Sequence, residues 1–102
     1  MSNKVFLVGI GPGSKEHMSF KAMEIIKSAE VIIGYKKYLD LINDLVEGKE
    51  IISKDMMEEV ERAKIAVEKA KEGKNVVIVS SGDPGIYAMA SIVFEFLKQN
   101  LT

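Results

Sequence analysis

The sequence predicts an α/β domain with a mainly parallel sheet and helices on both faces. Three observations carry this. Short runs such as "VFLV", "VII" and "VVIV" are apolar throughout rather than alternating, the pattern of strands covered on both sides. Between them lie stretches with apolar residues at helical spacing. The two kinds alternate strictly, β-α-β-α-β-α-β-α, which is the order of a parallel sheet with crossover helices. Right-handed crossovers then distribute the helices over both faces.

Each element follows from its own residues. Lys4–Val8 reads as the first strand. After a glycine-rich loop, Met18, Ala22, Ile25, Ile26 and Ala29 recur at helical spacing, with Ser19 as the expected N-cap. Glu30–Tyr35 is a second buried strand. Tyr38, Leu39, Leu41, Ile42, Leu45 and Val46 form a helical stripe, ended by Gly48. Glu50–Ser53 is a short third strand. The clearest helix runs from Asp55 to Glu72. Met56, Val60, Ala63, Val67 and Ala70 line one face of it. Glu58, Glu61, Arg62, Lys64, Glu68, Lys69 and Lys71 are expected to face solvent, and Gly73 stops the helix. Asn75–Val79 is the fourth and most apolar strand, and a last helix is expected from about Ile86 to Lys98. Met18, Met56, Met57 and Met89 fall at helical positions and read as core filler.

Composition narrows the function. A chain of 102 residues has room for one domain, and its 47% apolar content can fill one core. The net charge of −1 gives no support to electrostatic binding of nucleic acid. The absence of cysteine excludes disulfides and zinc–thiolate sites and fits a reducing cytoplasm. A single histidine, His17, excludes a multi-histidine metal site, so no metal is expected. No apolar run approaches the roughly 20 residues that cross a bilayer, so no membrane partner is expected. The last helix ends near Thr102, where another strand would be expected, so the chain reads as stopping at a domain boundary.

Two loops are over-supplied with special residues. "GIGPGS" follows strand 1 and "SSGDPG" follows strand 4. In open α/β sheets, ligands bind outside the carboxyl ends of the strands, where both loops lie. The first loop is not a dinucleotide fingerprint. Ser14 stands where a third glycine is needed, and Gly34, Tyr35 and Lys36 stand where a ribose-binding acid is expected. Ser14 also breaks the phosphate-loop pattern. A tight turn that merely redirects the chain explains such a loop equally well. In the second loop, Asp83 before Pro84 suits an N-cap, and equally a carboxylate aimed at a ligand.

Both loops at their spacing resemble the tetrapyrrole methylases, S-adenosylmethionine-dependent enzymes of corrin and sirohaem synthesis. "VGIGPGS…MSFKA" is similar to their N-terminal signature and "SSGDPGIYAMA" to their second. "GYKKYLDLI" (Gly34–Ile42) resembles the branch that methylates C17 of a precorrin-3 type tetrapyrrole and contracts the ring. The resemblance covers nearly the whole chain. It implies the N-terminal domain of a two-domain fold, with the second, C-terminal domain absent from this chain. It implies S-adenosyl-L-methionine as cofactor, a precorrin as substrate and a homodimer when full length. It carries cofactor contacts to Pro12, Ser81, Gly82, Asp83 and Ile86. Ser14 stands where many relatives have an acid, which leaves a base role at that position in doubt.

Ring contraction also needs proton transfers. Asp83, Tyr35 and Lys36 are the catalytic candidates, with Tyr38 and His17 behind them. Tyr38 suits half-buried packing equally, and His17 suits an exposed helix start. Lys36 and Lys37 could attract the carboxylates of a tetrapyrrole, although adjacent surface lysines are usually just solvated. Two other readings remain open: methylation of another precorrin position, or a ligand-binding or interaction module without catalysis.

Overall fold

The computed structural model describes residues 5–10, 19–53, 59–81 and 83–99, with the backbone alone at 59, 81, 83–87 and 99. The order is β1 (Val5–Ile10), α1 (Phe20–Ser28), β2 (Val31–Gly34), α2 (Lys36–Leu41), β3 (Glu50–Ser53), α3 (Glu59–Lys71), β4 (Val76–Ser81) and α4 (Asp83–Gln99). All pairings are parallel, and the sheet order is β1-β4-β2-β3. The expected α/β architecture with helices on both faces is therefore the one observed.

The side-chain alternation of β4 divides the core in two. Val77 and Val79 pack with Val8, Ile10 and Ile32 beneath Ile26 of α1 and Leu39 of α2. Val76 and Ile78 pack with Val31 and Ile33 beneath Ala63, Ala66, Val67 and Ala70 of α3, and Met89 and Val93 of α4. Helices α1 and α2 thus cover one face, and α3 and α4 the other. Connections leading from β1 to β2 to β3 run in one direction across the sheet. The connection from β3 to β4 runs back, so a right-handed crossover must pass over the opposite face.

Several elements differ from their expected bounds. β1 runs to Ile10 rather than Val8, because Gly9 and Ile10 pair with Ser80 and Ser81. β4 correspondingly includes the two serines that the sequence suggested were loop. The second strand is shorter at both ends, Val31–Gly34. The helix expected to reach Val46 ends at Leu41. Beyond it, Ile42, Leu45 and Val46 are carried by successive turns, with Leu45 N–H donating to Ile42 O at 2.8 Å and Lys49 N–H to Val46 O at 3.1 Å. Those turns keep Ile42 and Val46 buried, so the apolar spacing is satisfied without a continuous helix. Gly48 at φ +83° and Gly73 at φ +90° close their segments in the left-handed region, where other residues are strained.

On α3 the buried stripe is Arg62, Ala63, Ala66, Val67 and Ala70. Val60 is 58% exposed and Arg62 only 6%, the reverse of the expectation for both. Val60 lies in the first turn, before the stripe meets the sheet. A long arginine stem can lie along apolar surface, so its charge alone does not keep it on the outer face. Met56, Met57 and Glu58 lie outside the described residues. Ser19 caps α1 as expected, its hydroxyl accepting from Ala22 N–H at 3.0 Å. At the other end of α1, the Lys49 ammonium donates to Lys27 O at 2.5 Å and Ala29 O at 2.7 Å. These bonds occupy carbonyls that a helix C-terminus leaves over.

Candidate functional site

The parallel ladder brings three strand ends to one rim. Ile10, the last residue of β1, stands beside Ser81, the last of β4. On the other side of β4, Gly34, the last residue of β2, stands beside Val79. The glycine-rich segment after β1 and the Gly82–Asp83 step after β4 therefore leave neighbouring strands at the same edge. The residues that lead into them, Ile10 and Ser81, are thus neighbours in the ladder.

The connections from this rim diverge. After β1 and β2 the chain passes to α1 and α2, which cover one face; after β4 it passes to α4 on the other. Adjacent strands whose connections part in this way leave a crevice outside their carboxyl ends. β4 has such a neighbour on each side, so it is flanked by two crevices.

The residues expected to bear function distribute as follows. Pro12, His17 and Gly82 lie outside the described residues. Ser81 ends β4, and Asp83 and Ile86 fall in the first turn of α4. The expected helix start near Ile86 is thus too late, and Asp83 opens the helix rather than preceding it as cap. Pro84 is tolerated there because the first N–H groups of a helix have no intrahelical partner. Ser80, which precedes this step, is buried. Gly9 is exposed beside it and offers no side chain, so a ligand can approach the backbone there.

Tyr35 and Tyr38 come together after β2. Their ring centroids are 5.7 Å apart at 69°, an edge-to-face pair. Both are half-buried, and Tyr38 packs against the core beneath α2. Tyr35 opens α2 but its side chain makes no cap hydrogen bond. Lys36 is exposed and pairs with Asp40 one turn on at 3.1 Å. Gly34 was visible only as part of a motif, yet the rim depends on it. A Cβ there would meet Val79 O at 3.1 Å and Leu39 Cδ2 at 3.3 Å. Strand-end glycine was the available signal, but its cause is a tertiary approach that no local pattern encodes.

Charge is concentrated at the opposite end of the sheet. Glu50, which opens β3, takes Lys69 of α3 at 2.9 Å and Lys74 at 3.5 Å, and Lys74 also reaches Glu72 at 3.6 Å. The hydrogen bond from Lys69, with the charges of Lys69 and Lys74, holds the Glu50 carboxyl below its ordinary range against a smaller desolvation effect. The hydrogen bond to Glu50 raises Lys69 in turn. Among the described residues there is no group of three or more His, Cys, Asp or Glu that could hold a metal ion. Nor is any described helix long and apolar enough to cross a membrane.

Comparison with known proteins adds to this geometry. Residues 4–101 match the model of the Tetrapyrrole (Corrin/Porphyrin) Methylases. The chain is 48% identical over 97 residues to "Cobalt-factor III methyltransferase" of Priestia megaterium, covering 95% of this chain and 18% of that protein. It is 44% identical over 96 residues to the "Probable cobalt-factor III C(17)-methyltransferase" of Salmonella typhimurium, covering 93% of this chain and 40% of that one. The crystal structure of the methyltransferase CobJ superposes with a TM-score of 0.80 at 40% identity, over 93% of this chain and 39% of that chain. The cobalt precorrin-4 methyltransferase CbiF gives 0.76 at 27% identity, over 96% and 42%. The chain thus spans less than half the length of each of these relatives. On the family match along almost its whole length, this chain belongs to the tetrapyrrole methylases.

Proposed function

We propose that this chain is the N-terminal part of a methyltransferase that adds a methyl group to C17 of a cobalt-factor III or precorrin-3 type tetrapyrrole, with ring contraction, in cobalamin synthesis. The donor is S-adenosylmethionine, seated against the crevice between β1 and β4. The observation that carries this reading is the adjacency of Ile10 and Ser81 beneath the two signature segments. The relatives' names supply the substrate class.

The rim suits such a donor. Gly9 bears no side chain and is exposed beside the buried Ser80, and the backbone at a strand end offers N–H and C=O groups to a polar ligand. Pro12, Ser81, Gly82, Asp83 and Ile86 are the residues assigned to hold it. The bound donor supplies a methyl group already activated by a positive sulfur. The chain's contribution is alignment: a stiff rim fixes the acceptor carbon in line with the carbon–sulfur bond. Orientation of this kind can contribute several kcal/mol, of order 7 in favourable cases. The second domain of the longer relatives completes the site in this reading. Homodimer formation belongs to the same reading of the full-length protein.

The test uses the full-length protein. Calorimetry should show S-adenosylmethionine binding, weakened about tenfold or more by Asp83→Ala, a factor of about 1.4 kcal/mol. Incubation with cobalt-factor III and methyl-labelled donor, read by NMR, should place the new methyl on C17. A methyl at another ring position moves the assignment within the family. Failure to bind the donor removes the reading altogether. Unchanged affinity in Asp83→Ala confines Asp83 to starting α4.

A further inference from the structure

We propose that Arg62 is a positioning residue: from beneath the end of β4 its guanidinium holds the Ser81–Gly82–Asp83 step, and so sets the seat of the donor. This rests on the reading above and deepens it.

Burial and register place the side chain. Among the described residues, Arg62 and Ser80 are the buried polar or charged ones, each 6% exposed. Neither is without a partner. Strand alternation turns Ser80 to the same face as Val76 and Ile78, the face that α3 and α4 cover. Arg62 continues the row of Ala66 and Ala70 on α3, at steps of four residues. Ala70 packs in one cluster with Val76, where the chain turns from α3 into β4. From that level, the eight residues of α3 back to Arg62 rise about 12 Å. The four residues of β4 up to Ser80 rise about 13 Å. The two buried polar residues are thus level, on one face, at the rim end of the sheet. α3 runs antiparallel to the strands, so its N-terminus lies at the rim, and helical side chains lean toward the N-terminus. The Arg62 stem therefore carries its guanidinium past Ser80, toward Ser81 and the start of α4.

Packing alone does not explain an arginine there. Ala63, Ala66 and Ala70 fill the same buried stripe without charge. Both α3 and α4 begin at this rim, and helix N-termini disfavour a nearby cation. Burial of the charge adds a desolvation cost. What arginine supplies against these is five N–H donors in a fixed fork. Acceptors lie on the same side. The β2–β4 ladder ends at Gly34 and Val79, so Ser80 and Ser81 have a neighbouring strand on the β1 side alone. Backbone groups turned to the β2 side there need another partner, and α3 packs beneath β2 and β4. Asp83, which opens α4, brings an acid to the same step.

The experiment uses the protein at the relatives' length. Arg62→Met keeps a long stem and removes the charge and the donors. Without ligand, its peptides covering residues 80–87 should exchange amide hydrogens about tenfold faster than in wild type, and those covering 89–96 at the wild-type rate. Calorimetry should show S-adenosylmethionine bound about tenfold more weakly, and absorbance titration should show cobalt-factor III within about twofold of wild type. In steady state, KM for the donor should rise by more than kcat falls. Arg62→Lys should fall between the two proteins, because an ammonium keeps the charge and lacks the fork. Thermal melts check folding. Where Arg62→Met unfolds, Arg62→Lys decides: a donor affinity equal to wild type overturns the inference. In a folded Arg62→Met, unchanged donor affinity or unchanged exchange at 80–87 overturns the inference, while wild-type transfer to C17 keeps the reading. Equal loss of both ligands also overturns it, as the mark of general destabilisation. Wild type that never binds the donor overturns the reading, and the inference with it.

Discussion

A methyl group added at Gly34 would lie 3.1 Å from the carbonyl oxygen of Val79 and 3.3 Å from both Val79 Cβ and Leu39 Cδ2. The nearest of these is backbone of the central strand, which cannot shift without disturbing pairings on both its sides. Gly34→Ala should therefore lower stability by about 1–2 kcal/mol, overpacking outweighing the entropy gained from losing a glycine. Urea unfolding should show a lower midpoint at unchanged slope. A raised midpoint would mean that Leu39 and Val79 have room to yield. At this scale the legible residues were those with local causes. Ser19 caps its helix through its own hydroxyl, and Gly48 and Gly73 take positive φ where segments end. Gly34 and Arg62 were not legible for their roles, because one answers to a neighbouring strand and the other to the surface its stem covers.

The third strand adds ion pairs to its backbone pairing with β2. Glu50 opens it and holds Lys69 and Lys74 near the end of α3, while Ile51 remains 41% exposed, as suits an edge. The Glu50 carboxyl is held below its ordinary value in the folded chain, chiefly by the Lys69 hydrogen bond, so the unfolded chain takes up the proton more readily. The resulting stability is present above the ordinary carboxylate range and is lost as pH falls through the lowered folded value. Glu50→Gln should flatten that part of the acid-side dependence and change little else. Unfolding midpoints measured from pH 7 down to about pH 3 would check it. Equal acid slopes in both proteins would show that Glu50 contributes nothing measurable, as for many exposed pairs. Bounds of the third strand were readable as expected. Those of α2 were not, because turns of four residues bury Ile42 and Val46 as well as a helix would.

For the molecule as a whole, the alternation of strands and helices was readable from apolar patterning, and so was the strongly apolar character of β4. Its Val76–Val79 run is buried on both faces, which only an interior strand achieves. The position of β4 between β1 and β2 was not readable, since the sequence states each strand's character but not its neighbour. That position creates both crevices, and it also leaves β1 as an edge. "VFLVGI" carries no charge to discourage pairing by another chain, whereas β3 at the other edge begins with Glu50. On α4, which packs on the face that includes Val5 and Leu7 of β1, Phe94 is 64% exposed and Leu97 40%. These two lie three residues apart and share a side of the helix. A polypeptide limited to these 102 residues should therefore self-associate. Sedimentation velocity should show an apparent mass that rises with concentration, and the double variant Phe94→Lys, Leu97→Lys should bring it back toward 11.3 kDa. The longer relatives, of which this chain spans 18% and 40%, have further chain with which to cover the same surface. In a protein of the relatives' length, Phe94→Lys should accordingly be tolerated far less well, losing stability where the short polypeptide gains solubility. A concentration-independent monomer in the unmodified short polypeptide would show that neither the edge nor the stripe needs a cover.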